Sequence, residues 1–403
     1  MKLLDIIRDD MSTAYPEIHS TRLNTLLTFV SSGLRDQRVS VTYLGRGLKA
    51  HSKTTPKNDI KRADRLIGNV HLHAERNCFY AYMAEQLIGK KRHPIILVDW
   101  SPINGQGMFQ LLRASIPMGG RSLVIYEKTF TESKLNTQDA HQIFINELGM
   151  LLPDYCQPII VTDAIYRAPW FKIVDEKGWY WIGRVRGQVS LSKDSKNWIT
   201  SYEWFKSAKA GLTKHLGTIF YGKKAKFRCQ AVLHKRKRQG RKAKKMRGGV
   251  SQRTTDKTHE KDAREPWLLV FNLPRQFMNK AETAVKLYAQ RMQIEENFRD
   301  TKNNKLGIGL ETANSRSVER FDNLLLIAAL ILFLLWCIGY TAVLKNMQHS
   351  LQANTVRKRT VLSVISIARE IIDDKRYNIP DEEYIYVLTH LSLFAITIDK
   401  LHQ

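Results

Sequence analysis

HPIILVDW (residues 93–100) and QPIIVTDA (residues 157–164) are the two stretches whose reading decides the fold. Each is a short apolar run, rich in β-branched residues, that closes on an acid: Asp99 in the first and Asp163 in the second. A run of this kind, with no alternation of polar residues, predicts a strand covered on both faces. Between the two, FQLLRASIP and RSLVIYEK flank Met118-Gly119-Gly120, the pattern of a hairpin, and DAHQIFINELGMLL has helical spacing. A further helix and the strand-like WYWIGRVRG (179–187) complete the order. A hairpin followed by alternating helices and strands predicts an α/β fold, a mixed sheet flanked by helices. A lone buried acid at a strand end must pay desolvation or keep its proton, and by itself it is often only a cap for the next helix. Two of them in one sheet point to a shared role.

A third acid comes from AETAVKLYAQRMQIEENFRDTKNN (281–304), read as one helix from about Ala281 to Lys302. Measured from Tyr288, successive steps of about 100° put Arg291 near 300°, Glu295 near 340° and Lys302 near 320°, a shared arc of about 60°. Leu287, Ile294 and Phe298 form an apolar stripe beside that arc, which would seat the helix against a sheet. An Arg and a Glu four apart also occur as an ordinary surface ion pair. That alternative leaves the aligned tyrosine and distant lysine unexplained. Asp99, Asp163 and Glu295 brought together would repel, and at least one would hold its proton. Divalent cations that favour oxygen ligands resolve this, and Mg²⁺ suits a few carboxylates with water and substrate phosphate. Two such ions about 3.5–4 Å apart serve both oxygens of a phosphoryl displacement. The expectation is a metal-dependent enzyme acting on phosphodiesters.

The charge agrees with such a substrate. With 64 Lys and Arg against 38 Asp and Glu, the net charge of +26 predicts a polyanionic partner, nucleic acid before an anionic membrane. Residues 1 to about 90 read as amphipathic helices. Within them VSVTYLGRGLKAHSKTTPKNDIKRADRLIGN predicts a short helix with Tyr43 and Leu44, a loop with Pro56, and a helix carrying Lys61, Arg62 and Arg65. That layout suits a helix-turn-helix offering a basic face to DNA, although a charged, solvated helix has the same pattern. No acid occurs between Trp204 and Thr255, and HKRKRQGRKAKKMRGG (234–249) concentrates the charge in a glycine-rich loop between strands such as GTIFY and FRCQAVLH, with WLLVFNLP closing the insert. Cys78, Cys156, Cys229 and Cys337 are scattered without a CxxC pair, which predicts neither disulfides nor structural zinc and fits a reducing cytoplasm. The acidic residues of MKLLDIIRDDMSTAYPE do not suit a secretion signal. LLLIAALILFLLWCIGYTAVL (324–344) is uncharged and long enough to span a bilayer or to form a buried core helix. His71 and His73 read as basic-face residues, since neither has Cys or carboxylate partners at metal-ligand spacing. No Walker-type phosphate loop is present, so ATP dependence is not expected.

On these residues the chain resembles a known family. Asp99, Asp163 and Glu295 look like the DDE triad of RNase H-like transposases. Tyr288-x2-Arg291-x3-Glu295-x6-Lys302 matches the YREK signature of the "insertion sequence four" family. Similarity to its transposon-ten type covers nearly the whole chain through KRADRLIGN with HLHAER, ILVDWS, LRAS, GRS with YEK, WYWIGRVRG, EPW with NLP, RMQIEE with FRD, and QANTVR. The resemblance implies a cut-and-paste enzyme that nicks one strand, attacks the other with the freed 3′-OH to form a hairpin, reopens it and joins the 3′ ends to target DNA. It implies that Asp99, Asp163 and Glu295 bind two Mg²⁺ ions, with Mn²⁺ able to substitute, and that Tyr288, Arg291 and Lys302 contact the DNA backbone near the cut. Trp267, in the matching EPW tripeptide, is expected to stack on a flipped base, or else to be a core residue of its strand.

The expected organisation is therefore a helical DNA end-binding domain (1–90), an RNase H-like core in two parts (91–200 and 281–345), a β-strand insertion with a basic loop (201–280), and a helical C-terminal region serving dimerisation (346–403). The interval between Asp163 and Glu295 is longer than an uninterrupted core needs, which the insertion explains. The apolar run then reads as a helix packed behind the sheet and not as a membrane span. Expected partners are double-stranded DNA, both element ends and target, and a second copy of the chain; the expected location is a bacterial cytoplasm, on the nucleoid. Two other classes stay open: a catalytically inactive DNA-binding descendant of such an enzyme, and a membrane protein with one late span.

Overall fold

The computed structural model describes residues 2–49, 52–103, 108–237, 265–352, 360–372, 374 and 376–402. The basic run beyond residue 237 and most of QANTVR lie outside the described residues.

The helices are α1 (Lys2–Ala14), α2 (Ser20–Asp36), α3 (Val41–Arg46), α4 (Pro56–Ile67), α5 (Val70–Ile88), α6 (Gln138–Leu151), α7 (Ala168–Glu176) and α8 (Ser201–Lys206) in the first half. They continue as α9 (Lys280–Ala289), α10 (Met292–Lys302), α11 (Val318–Leu344), α12 (Gln348–Leu351), α13 (Val364–Ile372), α14 (Asp381–Thr389), α15 (Leu391–Phe394) and α16 (Ile398–His402). The strands are β1 (Ile95–Pro102), β2 (Phe109–Pro117), β3 (Ser122–Thr131), β4 (Ile159–Thr162), β5 (Tyr180–Val185), β6 (Ser190–Ser192), β7 (Ile199–Thr200), β8 (Thr213–Tyr221), β9 (Phe227–His234) and β10 (Trp267–Asn272). The class is mixed α/β. The chain divides into two compact units, Met1–Cys156 with Met292–Ile396, and Gln157–Arg291 with Thr397–Gln403.

In the first unit β3, β2 and β1 lie side by side, all antiparallel. β2 is buried along its whole length and β1 up to Pro102, which is why neither reads as alternating. Met118 N donates to Arg121 O at 2.7 Å across the β2–β3 turn, and Gly119 and Gly120 sit there at φ +84° and +85°. A two-residue hairpin loop with positive φ at both positions matches the strand twist, and only glycine adopts it without strain. Pro56 is the first residue of α4, where its missing N–H is no loss, and not part of the preceding loop as its sequence context suggests. Asn69 caps α5 through Leu72 N at 3.0 Å. The apolar run forms α11, a 27-residue helix opened by the Ser317 cap. Its most apolar window is 94 % buried inside the unit, against α2, α4, α5, β3, α10, α13 and α14. At Gly339 the backbone of α13 comes so close that a Cβ would lie 1.9 Å from Val364 O.

In the second unit the strand order is β4-β5-β10-β9-β8-β6-β7, with β4 parallel to β5 and the remaining pairs antiparallel. α7 covers β5 and α9 lies against β4, β5, β8, β9 and β10. The short α16 joins this unit, where His402 Nε2 meets Thr283 Oγ1 at 3.0 Å.

The segment 281–302 is not one helix. α9 ends at Ala289 and α10 starts at Met292. The amides of Gln290 and Arg291 bond three residues back, to Leu287 O and Tyr288 O, both at 3.1 Å. This tightening of the last turn ends the i→i−4 ladder. A single helical wheel therefore does not relate Tyr288 to Glu295 and Lys302.

Candidate active site

In the first unit the site grows from one cross-strand row. Asp99 on β1 stands opposite Arg113 on β2, and Arg113 stands opposite Glu127 on β3. Residues directly opposite in neighbouring strands project from the same face, so an acid, a guanidinium and a second acid share one side of the sheet. Helix α10 packs on these three strands. Glu295 is exposed in its first turn and Lys302 lies at its end, seven residues on and so on nearly the same stripe. Lys302 Nζ donates to Ser101 Oγ at 2.5 Å and to Pro102 O at 3.1 Å. Ser101 is two residues from Asp99 and thus on its face. Burial, followed by the repulsion of Arg113, pushes the Lys302 ammonium down to about 8, with Glu311 and Asp99 opposing the shift. Asp99, which is 8 % exposed, is therefore an electrostatic neighbour of Lys302.

The seat of α10 is more polar than the apolar stripe implies. Ile294 and Phe298 are buried as expected, but so are Gln293, Asn297, Asp300 and Thr301. Leu287, the third member of the stripe, belongs to α9. Gln293 Oε1 accepts from Met118 N at 3.1 Å and Gly119 N at 3.0 Å, and Asn297 Nδ2 donates to Ser122 O at 2.9 Å. Arg121 Nε reaches Asp300 Oδ2 at 2.6 Å. Arg113 Nη1 donates to Asn297 Oδ1 at 2.5 Å and to Thr301 Oγ1 at 2.9 Å, while its Nε donates to Glu127 Oε2 at 2.7 Å. Burial raises the Glu127 carboxyl even though Arg113 works against the shift.

In the second unit Asp163 follows β4 directly, and its Oδ1 accepts from Ile165 N at 2.8 Å, an Asx turn that orients the carboxylate. Tyr288 is buried on α9, and Arg291 lies in the turn after that helix. Burial raises the Tyr288 hydroxyl; the cations of Arg291 and Arg184 oppose the rise and Asp163 adds to it. These four groups thus share one neighbourhood. Trp267, the first residue of β10, meets the Tyr288 ring edge-on with centroids 4.8 Å apart. The Arg236 guanidinium lies 3.8 Å from the Trp267 ring centroid, a cation–π contact over a face of the indole. Glu265 joins Arg184 at 2.9 Å and Arg186 at 2.6 Å. The sequence does not single out Arg184, Arg236 or Glu265 individually; the alternation of Arg184 with Arg186 in WYWIGRVRG, the place of Arg236 in the basic run that starts at His234 and that of Glu265 within EPW are the available signals.

Lys61, Arg62 and Arg65 lie on α4 in the first unit. Arg62 and Arg65 line a cavity of about 450 Å³ together with His19, Arg22, Thr25 and Asn69. Arg62 Nη1 is 3.4 Å from Asp59, and Arg22 Nε is paired with Glu75 at 2.5 Å. His73 does have a carboxylate partner, Asp322, at 3.2 Å, which sequence spacing hides because it comes from α11. Arg76 holds the same carboxylate at 2.9 Å, so the arrangement is a buried ion pair with a histidine attached. Among the described residues no three His, Cys, Asp or Glu side chains form a group able to hold a metal ion.

A family model described as "Transposase DDE domain" matches residues 90–334, more than half of the chain. The matched span contains Asp99, Asp163, Trp267, Tyr288, Arg291, Glu295 and Lys302 and leaves Lys61, Arg62 and Arg65 before it. No curated protein matches the chain.

Proposed function

Because the chain belongs to the transposase DDE domain family, its activity is transposition of DNA, and we propose that it follows a cut-and-paste course with Asp99, Asp163 and Glu295 as catalytic acids. The observation that carries this reading is the placement of the three acids inside the matched span, Asp99 within the buried strand β1, Asp163 directly after the buried strand β4 and Glu295 on the helix packed over Asp99's row. The donor chemistry fits the implied ions, since carboxylate oxygens suit Mg²⁺ or Mn²⁺ better than a metal that prefers sulfur or imidazole. Bound divalent ions supply Lewis acidity to the attacking and leaving oxygens of the phosphodiester.

The chain's own groups do the remaining work. Lys302, fixed beside Ser101, offers a positive charge to a phosphate near Asp99. Arg291, next to Tyr288, offers a second to the backbone near Asp163. Trp267 supports an extruded base, with Arg236 leaving the indole face it covers. Strand transfer through a hairpin, action as a homodimer on paired element ends, membership of the YREK group, an RNase H-like core and residence on a bacterial nucleoid complete the reading. The test is cleavage of the element's own end DNA by the full chain with Mg²⁺. Cut ends carrying a hairpin support the proposal. Binding without cutting would make the protein an inactive descendant and overturn it.

A further inference from the structure

We propose that Arg113 is a positioning residue of the catalytic site, tying α10 to the middle of the β3-β2-β1 sheet and so fixing Glu295 against the row that carries Asp99. The inference rests on the reading of Asp99 and Glu295 as catalytic acids.

Arg113 has no exposed surface, and neither does Glu127 beneath it. Burying such a pair adds little stability compared with apolar residues of the same size, so the pair is better explained by what else it holds. Its donors divide between two elements. Nε and Nη2 go to Glu127 on β3, at 2.7 and 2.6 Å. Nη1 goes to Asn297 and Thr301 on α10, at 2.5 and 2.9 Å. The guanidinium also lies 4.8 Å from the Phe298 ring centroid. The start of α10 is held separately, by Gln293 at the Met118–Gly119 turn. Glu295 lies between Gln293 and Asn297, so both flanks of the acid are bonded to the sheet that bears Asp99. A lysine has no planar fork and cannot serve both directions at once.

Three measurements on full-length protein test this. In R113K, amide exchange of 292–302 should rise about tenfold while that of α11 stays put, a local opening. Calorimetric titration of Mn²⁺ into the protein bound to end DNA should show affinity lowered about tenfold, the size expected when a group supporting a ligand is removed. Cleavage should lose kcat with KM for DNA unchanged. R113M with E127M removes both buried charges at similar volume, which protects the fold, and it should still bind Mn²⁺ weakly. Unchanged exchange in R113K, or wild-type Mn²⁺ affinity in the double variant, would overturn the proposal. Wild-type protein that neither binds Mn²⁺ on DNA nor cuts would instead remove the catalytic reading beneath it.

Discussion

Lys302 should make cleavage fall with rising pH well before an ordinary lysine would. Its ammonium is held down to about 8 by burial and by Arg113, with Glu311 and Asp99 pulling the other way. With that value the charged fraction drops from roughly nine-tenths at pH 7 to roughly one-tenth at pH 9, whereas a lysine at about 10.4 stays more than about 95 % charged. If the charged form contacts a phosphate near the cut, kcat/KM for end DNA should drop roughly tenfold across this interval, because that parameter reports the free enzyme. The assay is single-turnover cleavage at subsaturating DNA and fixed Mg²⁺. K302R keeps its charge throughout, so it should cut more slowly at pH 7 and show no decline toward pH 9. A flat wild-type profile, or the same decline in K302R, would refute the assignment. Stability should move oppositely to activity. Between about 8 and the ordinary 10.5 the unfolded chain holds the Lys302 proton while the folded chain has released it, so folding is favoured more as pH climbs through that window.

Asp99→Asn, Asp163→Asn and Glu295→Gln should each abolish cutting and leave end binding in a mobility-shift assay within about twofold, because these changes alter charge more than volume. Replacing Arg62 and Arg65 with alanine should weaken end binding and reduce the slope of log K against log salt by about one for each phosphate that is no longer neutralised; an unchanged slope removes the cavity from the DNA interface. Gly339→Ala would place a methyl 1.9 Å from Val364 O, and thermal denaturation should show a destabilisation of about 1–3 kcal/mol, the usual range for overpacking.

The strands beside Asp99 and Asp163 are readable because burial on both faces removes polar alternation, although β1 runs on past Asp99 to Pro102 and only Asp163 stands at a strand end, and Gly119-Gly120 marks its own turn. The break after Ala289 is not readable, since neither glycine nor proline marks it and helical spacing continues on both sides. Arg113 is hidden for another reason. In sequence it is one residue of LRAS, and its partners Asn297 and Thr301 lie 184 and 188 residues away. Charge patterning finds local pairs, but a buried pair assembled by tertiary structure leaves no periodic trace. Asp322, which meets both His73 and Arg76, is concealed in the same way. Composition alone also leaves the run from Leu324 undecided between lipid and protein surroundings, and packing settles what surrounds that helix.

The enclosure of α11 has a consequence for synthesis. Its neighbours α2, α4, α5, β3 and α10 leave the ribosome ahead of it, whereas α13 and α14 follow. During that interval the nascent chain carries a half-wrapped greasy rod that insertion machinery or another unfinished copy can capture. A reading frame stopped just after Leu344 should therefore yield aggregates or membrane-pelleted product, even though every residue proposed for chemistry has already been made.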